Sequence, residues 1–157
     1  MIHVSDATGQ PVVRWTPTLT ANGGFAFTGT DLTHPCYNSH YVKVGKLISF
    51  YIEIDCSTIT NFGTGQIKTE LPFMPLANSM NHFAAWANLD PAVNPDIAGH
   101  IILQADHLAN TKVLDLHWLS AATATPKPVM ENMFTGTSPT TLSPTTKIYI
   151  NGTYIAA

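Results

Sequence analysis

The sequence predicts an all-β protein, a β-sandwich of the jelly-roll type with nine or ten strands in one domain spanning residues 1–157. Short runs of alternating apolar and polar residues follow one another along the whole chain, separated by turn clusters, and no stretch sustains an apolar period of 3.6 residues. The length of 157 residues suits one core of ordinary size, and a jelly roll is the usual way to set about eight to ten strands in two layers.

In chain order, β-type runs bounded by turn residues occur at 12–20, 25–28, 37–43, 46–56, 66–71, 81–88, 99–106, 111–119, 128–134 and 147–155. The clearest is 46–56, where Ile48, Phe50, Ile52, Ile54 and Cys56 share the inner face and Leu47, Ser49, Tyr51, Glu53 and Asp55 the other. Its hairpin partner, turning at Val44-Gly45, sets Tyr37, Ser39 and Tyr41 opposite Ile52, Phe50 and Ile48. A second hairpin joins 99–106 to 111–119 with Ala109-Asn110 at the turn, so that Gln104 faces Asp115. One of its faces gathers Ile101, Leu103, Ala105, Leu114, Leu116 and Trp118 for the core. The other is mixed, with His100, Ile102, Gln104, Asp106, Val113, Asp115 and His117. Most prolines stand between runs, and the Thr-Ser-Pro cluster at 135–146 reads as an ordered surface connection.

Composition narrows the function. Charged residues make up 11% and hydrophobic ones 45%, a surface so poor in charge that much of it is expected to be covered. Seven Lys and Arg against ten Asp and Glu give a net charge of −3 with no basic stretch, so no nucleic acid partner is expected. No apolar run is long enough to cross a bilayer, so no membrane insertion is expected. The opening Met-Ile-His-Val-Ser-Asp lacks a signal peptide's basic flank and apolar stretch, and no cleaved leader is expected. In the predicted register Cys36 lies opposite Glu53 and Cys56 opposite Thr33. That offset of roughly 10 Å exceeds the reach of a disulfide, so both are expected as free thiols. Neither has the neighbours of a zinc finger.

No enzyme motif announces itself: there is no G-x-S-x-G, H-E-x-x-H, phosphate-cradling G-x-x-x-x-G-K or dinucleotide fingerprint. No catalytic residue, cofactor or metal is expected. Three residues stand as weak binding candidates. His100 and His117 become diagonal neighbours on the mixed face, where two imidazoles near carboxylates could hold a divalent ion or, least favoured, serve a small hydrolase. Trp86 could stack on a sugar ring, with Asn81, Asn88 and Asp90 close in sequence, which motivates an alternative function as a stand-alone carbohydrate-binding module. Trp118 alternates with Leu114 and Leu116 and belongs to the core, while His34, His40 and His82 read as ordinary polar surface groups.

Four segments carry a resemblance. They are Trp15-Thr16-Pro17-Thr18-Leu19-Thr20, the stretch from Tyr41 to Ile48, Thr60-Asn61-Phe62-Gly63-Thr64-Gly65-Gln66 leading to Leu71-Pro72-Phe73, and Ile148-Tyr149-Ile150-Asn151-Gly152-Thr153-Tyr154. In order and spacing these resemble a domain of tailed-bacteriophage virion proteins of the minor tail, tail-fibre or head-fibre type; residues 80–125 show less of it. The resemblance implies a β-sandwich acting without catalysis or cofactor in virion assembly or adhesion, as a tail-tip receptor binder or a capsid decoration. It commonly implies a trimer in contact with other virion proteins and a host surface glycan, assembled in the host cytoplasm. Its motif residues read as structural: Gly63 and Gly65 for positive φ, Pro72 for a strand end, Gly152 for a bulge. Independently, Leu47, Tyr51, Ile102 and Val113 are apolar on faces assigned outward, which favours self-association as a homotrimer.

Overall fold

The run Leu47–Asp55 shows how alternation makes this sheet: Ile48, Phe50, Ile52 and Ile54 are buried, and the residues between them face out. The computed structural model describes residues 4–5, 11–29, 31–79, 81–89, 99–107, 109–121, 129–136 and 142–157. Among these are twelve strands: β1 (Val4–Ser5), β2 (Pro11–Arg14), β3 (Ala26–Phe27), β4 (His40–Val44), β5 (Leu47–Asp55), β6 (Ile59–Asn61), β7 (Lys68–Glu70), β8 (Asn81–Leu89), β9 (Gly99–His107), β10 (Val113–Ala121), β11 (Val129–Met133) and β12 (Lys147–Ile155). Two single 3-10 turns, Asp31–Thr33 and Cys56–Thr58, complete the described elements. The fold is all-β, as the alternation predicts. The strands beyond the expected nine or ten are short ones, β1 and β6, which leave no period to read.

Ten strands form one antiparallel sheet in the order β1-β2-β4-β5-β12-β8-β9-β10-β11, with β7 sharing β10's outer side, and β3 and β6 form a small second sheet. β8, β9 and β10 are successive neighbours and β12 returns to lie beside β8, the path of a Greek key, from which jelly rolls are built. The large sheet curls over into a sandwich. Leaving β2, Trp15 N donates to Ser39 O at 3.1 Å, and five residues later Thr20 and Lys68 exchange two backbone bonds of 2.9 Å, so one segment ties the β4 side to β7. Pro17 has no N–H, which is why 15–19 crosses this gap as irregular chain and the expected strand 12–20 stops at Arg14.

Inside lies one hydrophobic cluster drawn from both layers, including Ile48, Ile52, Ile67, Leu71, Leu103, Leu116, Phe134 and Ile150. The Phe50 ring meets Phe83 edge-on at 4.9 Å, and Tyr154 stands 5.9 and 6.2 Å from the two. The Tyr154 hydroxyl donates to Phe73 O at 2.9 Å and accepts from Phe73 N at 3.1 Å, fixing the chain beyond Leu71.

Both predicted hairpins exist, each with its register moved by two residues. In the first, Tyr41 faces Phe50 and not Ile48, and the turn is Gly45-Lys46. Gly45 has φ +60°, which fits the first central position of a type II′ turn, where glycine is favoured. Tyr37 lies outside β4, in the turn that carries Cys36 into the core. In the second, Gln104 faces His117 and Asp115 faces Asp106. The wider loop is held by Asn110 at φ +60°, by Thr111 Oγ1 accepting from Val113 N at 3.1 Å, and by the buried His107 ring 2.8 Å from Thr111 O. A shift of two keeps parity, so the predicted inner and outer faces survive.

The motif glycines serve more than one end. Gly63 has φ +66°, as expected, but Gly65 does not enter that region; a Cβ there would meet Asn22, whose carbonyl accepts the Thr64 and Gly65 N–H groups at 3.0 and 3.1 Å. Gly152 sits in an unbroken ladder opposite Phe50, not in a bulge, and a Cβ would run into the Phe83 ring. Cys36 and Cys56 are both free and fully buried.

Candidate functional site

The outward face of β4, β5, β12, β8 and β9 carries the molecule's most distinctive surface. Cross-strand register there sets residues of neighbouring strands side by side, two of the pairs through the return of β12: His40 by Tyr51, Glu53 by Tyr149, Tyr149 by Trp86, and Trp86 by Ile102. The rings form a row, with centroids 5.1 Å apart for His40–Tyr51, 6.2 Å for Tyr51–Tyr149 and 5.3 Å for Tyr149–Trp86, the last stacked at 28°. Rings stacked on one another across strands stand on edge, so the Trp86 face turned to Tyr149 is occupied. Ile102, at the end of the row, is 69% exposed.

A second row on the same face runs through Val44, Leu47 and Ile155, with Leu76 N bonded to Ile155 O at 2.9 Å; these four side chains are 45–53% exposed. Charge on this face is self-contained. Lys147 Nζ lies 3.1 Å from both Glu53 Oε1 and Asp55 Oδ2 and is held above the usual lysine range by those two bonds. Burial, with Glu53 beside it, pushes the Tyr51 hydroxyl up to about 12.

Further along, Asp106 is the centre of a polar cluster. His82 Nδ1 lies 2.7 Å from Asp106 Oδ1, Gln104 Nε2 donates to that oxygen at 2.8 Å, and His117 Nε2 stands 3.7 Å from Asp106 Oδ2. Gln66 Nε2 is 3.1 Å from His117 Nε2 and donates to Leu116 O at 3.0 Å. Asp115, facing Asp106, is balanced by Lys68 Nζ at 3.1 Å, an ion pair whose geometry is not that of a hydrogen bond.

The sequence candidates are therefore distributed differently from expectation. His117 joins Asp106, whereas His100 pairs in register with Asn88, four residues along β9 from Gln104, the partner of His117. At about 3.3 Å per residue that separates the two by roughly 13 Å, so they are not diagonal neighbours; the His100 side chain is outside the described residues. Among the described residues no three His, Cys, Asp or Glu side chains converge as a metal site. Around Trp86, Asn88 shares the outward face, Asn81 lies on the opposite one with its amide 3.3 Å from Ser79 Oγ, and Asp90 is outside the described residues. His82 and His40, expected as plain surface groups, are members of the cluster and of the row. Tyr149 was not singled out by sequence, because its partners Trp86 and Tyr51 are more than sixty residues away and only the return of β12 joins them.

A cleft of about 200 Å³ opens beside Glu53 and Lys147, between the 32–38 turns and 55–58, lined by residues that include His34, Tyr37, Asn38, Asp55 and Thr58. Sequence reading missed it because it placed 37–39 in a strand.

No family model, curated protein or solved structure matches the chain. Among the described residues no helix is long and apolar enough to cross a membrane.

Proposed function

We propose that this chain is a non-catalytic structural module of a tailed-bacteriophage virion, at a tail tip, fibre or capsid surface, that works by assembling with copies of itself and adhering to its neighbours. The observation that carries this reading is the outward face just described, where the Val44–Leu47–Ile155–Leu76 row and the His40–Tyr51–Tyr149–Trp86 row share one surface whose charges are paired internally. Aromatic and aliphatic residues with few unpaired charges are what protein interfaces select, and exposed apolar patches mark such contacts. The four-segment resemblance supplies the virion class. Three copies about a threefold axis would hide this face. A carbohydrate-binding module built on Trp86 has less support, since one ring face is stacked on Tyr149 and Asn81 lies on the other side of the sheet.

Light scattering tests the assembly: a mass three times 17.0 kDa is expected at micromolar concentration, falling to 17.0 kDa in Leu47→Asp. A wild-type monomer would overturn it. Immunogold labelling of particles separates the sites, since label over the head shell excludes a tail tip and label at the tail excludes decoration.

A further inference from the structure

We propose that the cleft between the 32–38 turns and 55–58 is a binding site for a single neutral, hydroxylated ring of the pyranose class. The inference stands apart from the virion reading, because the cleft would bind the same ligand in a chain that never joins a particle. Its volume of about 200 Å³ is of the size of one such ring.

Its lining states the chemistry. Leu32, 70% exposed, together with Pro35 and the Tyr37 ring gives apolar surface for a C–H face. The Tyr37 ring is held by the Arg14 guanidinium 4.4 Å from its centroid. Polar groups surround that surface. Cys36 N donates to His34 Nδ1 at 3.0 Å, which leaves the ring's proton on Nε2 as a donor, and burial lowers the His34 pKa so that the ring stays neutral. Asp55 accepts from Ser57 N at 2.9 Å and pairs with Lys147 at 3.1 Å, which uses only part of a carboxylate's four acceptor positions. Asn38 adds an amide whose nitrogen reaches Glu53 at 3.3 Å.

Charge excludes the other classes. The lining itself holds no Lys or Arg; the Arg14 guanidinium lies against the Tyr37 ring, and Lys147 is already shared between Asp55 and Glu53, so an anion finds no cation among the lining residues. The Asp55 carboxylate is neutralised by that same ammonium, which removes the attraction for a cation. What remains is a mixed set of donors and acceptors beside a small apolar wall, complementary to a ring that has hydroxyls around its rim and C–H groups on one face.

The test is a set of amide NMR titrations of the full chain with glucose, galactose, mannose and N-acetylglucosamine, and with inorganic phosphate and methylammonium chloride for the charged classes. At least one sugar should move the amides of 32–38 and 55–58 with a dissociation constant in the millimolar range, and Asp55→Asn should weaken it about tenfold. Asn38→Ala, at an exposed turn position, should also weaken it and serves if Asp55→Asn does not fold. The proposal is overturned if no sugar moves those amides, if only phosphate or methylammonium does, if the sugar shifts centre on Trp86, or if a folded Asp55→Asn and Asn38→Ala bind as wild type does.

Discussion

Replacing Gly152 with alanine sets two physical effects against each other, and the structure decides the sign. Gly152 occupies an ordinary ladder position opposite Phe50, so its backbone needs no special conformation. Alanine would then gain about 0.5–1 kcal/mol from lower chain entropy in the unfolded state. Against this, the new methyl would run into the Phe83 ring, which is buried and already edge-on to Phe50 at 4.9 Å, with Tyr154 6.2 Å away. Extra methylenes in a site with no room to yield cost about 1–3 kcal/mol. The clash wins, and Gly152→Ala should be destabilising by about 0.5–2 kcal/mol, a midpoint lowered by about 1–8 °C for a chain of this length. In a Phe83→Ala background the obstacle is gone, and the same substitution should stabilise by about 0.5–1 kcal/mol. Urea unfolding of the four proteins at one fixed concentration measures the cycle. A stabilising Gly152→Ala in the wild-type background, or the same effect in both backgrounds, would refute the packing account.

Gly45 offers the complementary case, since a Cβ there has nothing within 4 Å and only φ +60° opposes it; Gly45→Ala should cost about 1–2 kcal/mol and Gly45→Asn less, and equal losses on denaturation would reject a purely conformational role. For Asp55, burial pushes the carboxyl up but the Ser57 N–H and the Lys147 ammonium outweigh it and hold it below the usual carboxylate value. A depressed folded pKa contributes stability above the unfolded value of about 4 that is lost as pH falls through the lower folded one. The melting temperature should therefore drop on acidification, and less steeply in Asp55→Asn; parallel curves would contradict the assignment. Burial raises both thiols, Cys56 to about 12, so neither should react with a maleimide in the native protein at pH 8 while both react in denaturant, and fast native labelling would show the core to be open there.

Alternation within a strand was readable residue by residue, since Ile48, Phe50, Ile52 and Ile54, or Leu114 and Leu116, announce their face whatever they pair with. Register was not. Both hairpins slid by two residues because the turn residue that sets it, Gly45 or Asn110, is chosen by φ, and a shift of two leaves every apolar side chain on its proper face. Candidate sites suffered most. The pairing of His100 with His117 depended on a register, and the stacking of Trp86 on Tyr149 depends on a contact sixty-three positions apart in sequence. The cleft could have been suspected from Pro35, just ahead of the run taken as strand, and Asn38 within it, both turn-forming residues. The three-residue offset between the cysteines failed for the same cause, although both thiols are free.

The way the large sheet ends bears on how copies of the chain can meet. At one limit stands β1, only two residues long, and at the other β7 and β11 divide the flank of β10 between them, with Lys68 further occupied by Thr20. Among the described residues these short limiting strands present little open N–H and C=O edge on which a foreign strand could template itself, which disfavours growth into amyloid-like ribbons. In the assembly proposed above, copies would meet through their broad surfaces, and a ring forms only where the rotation between them closes.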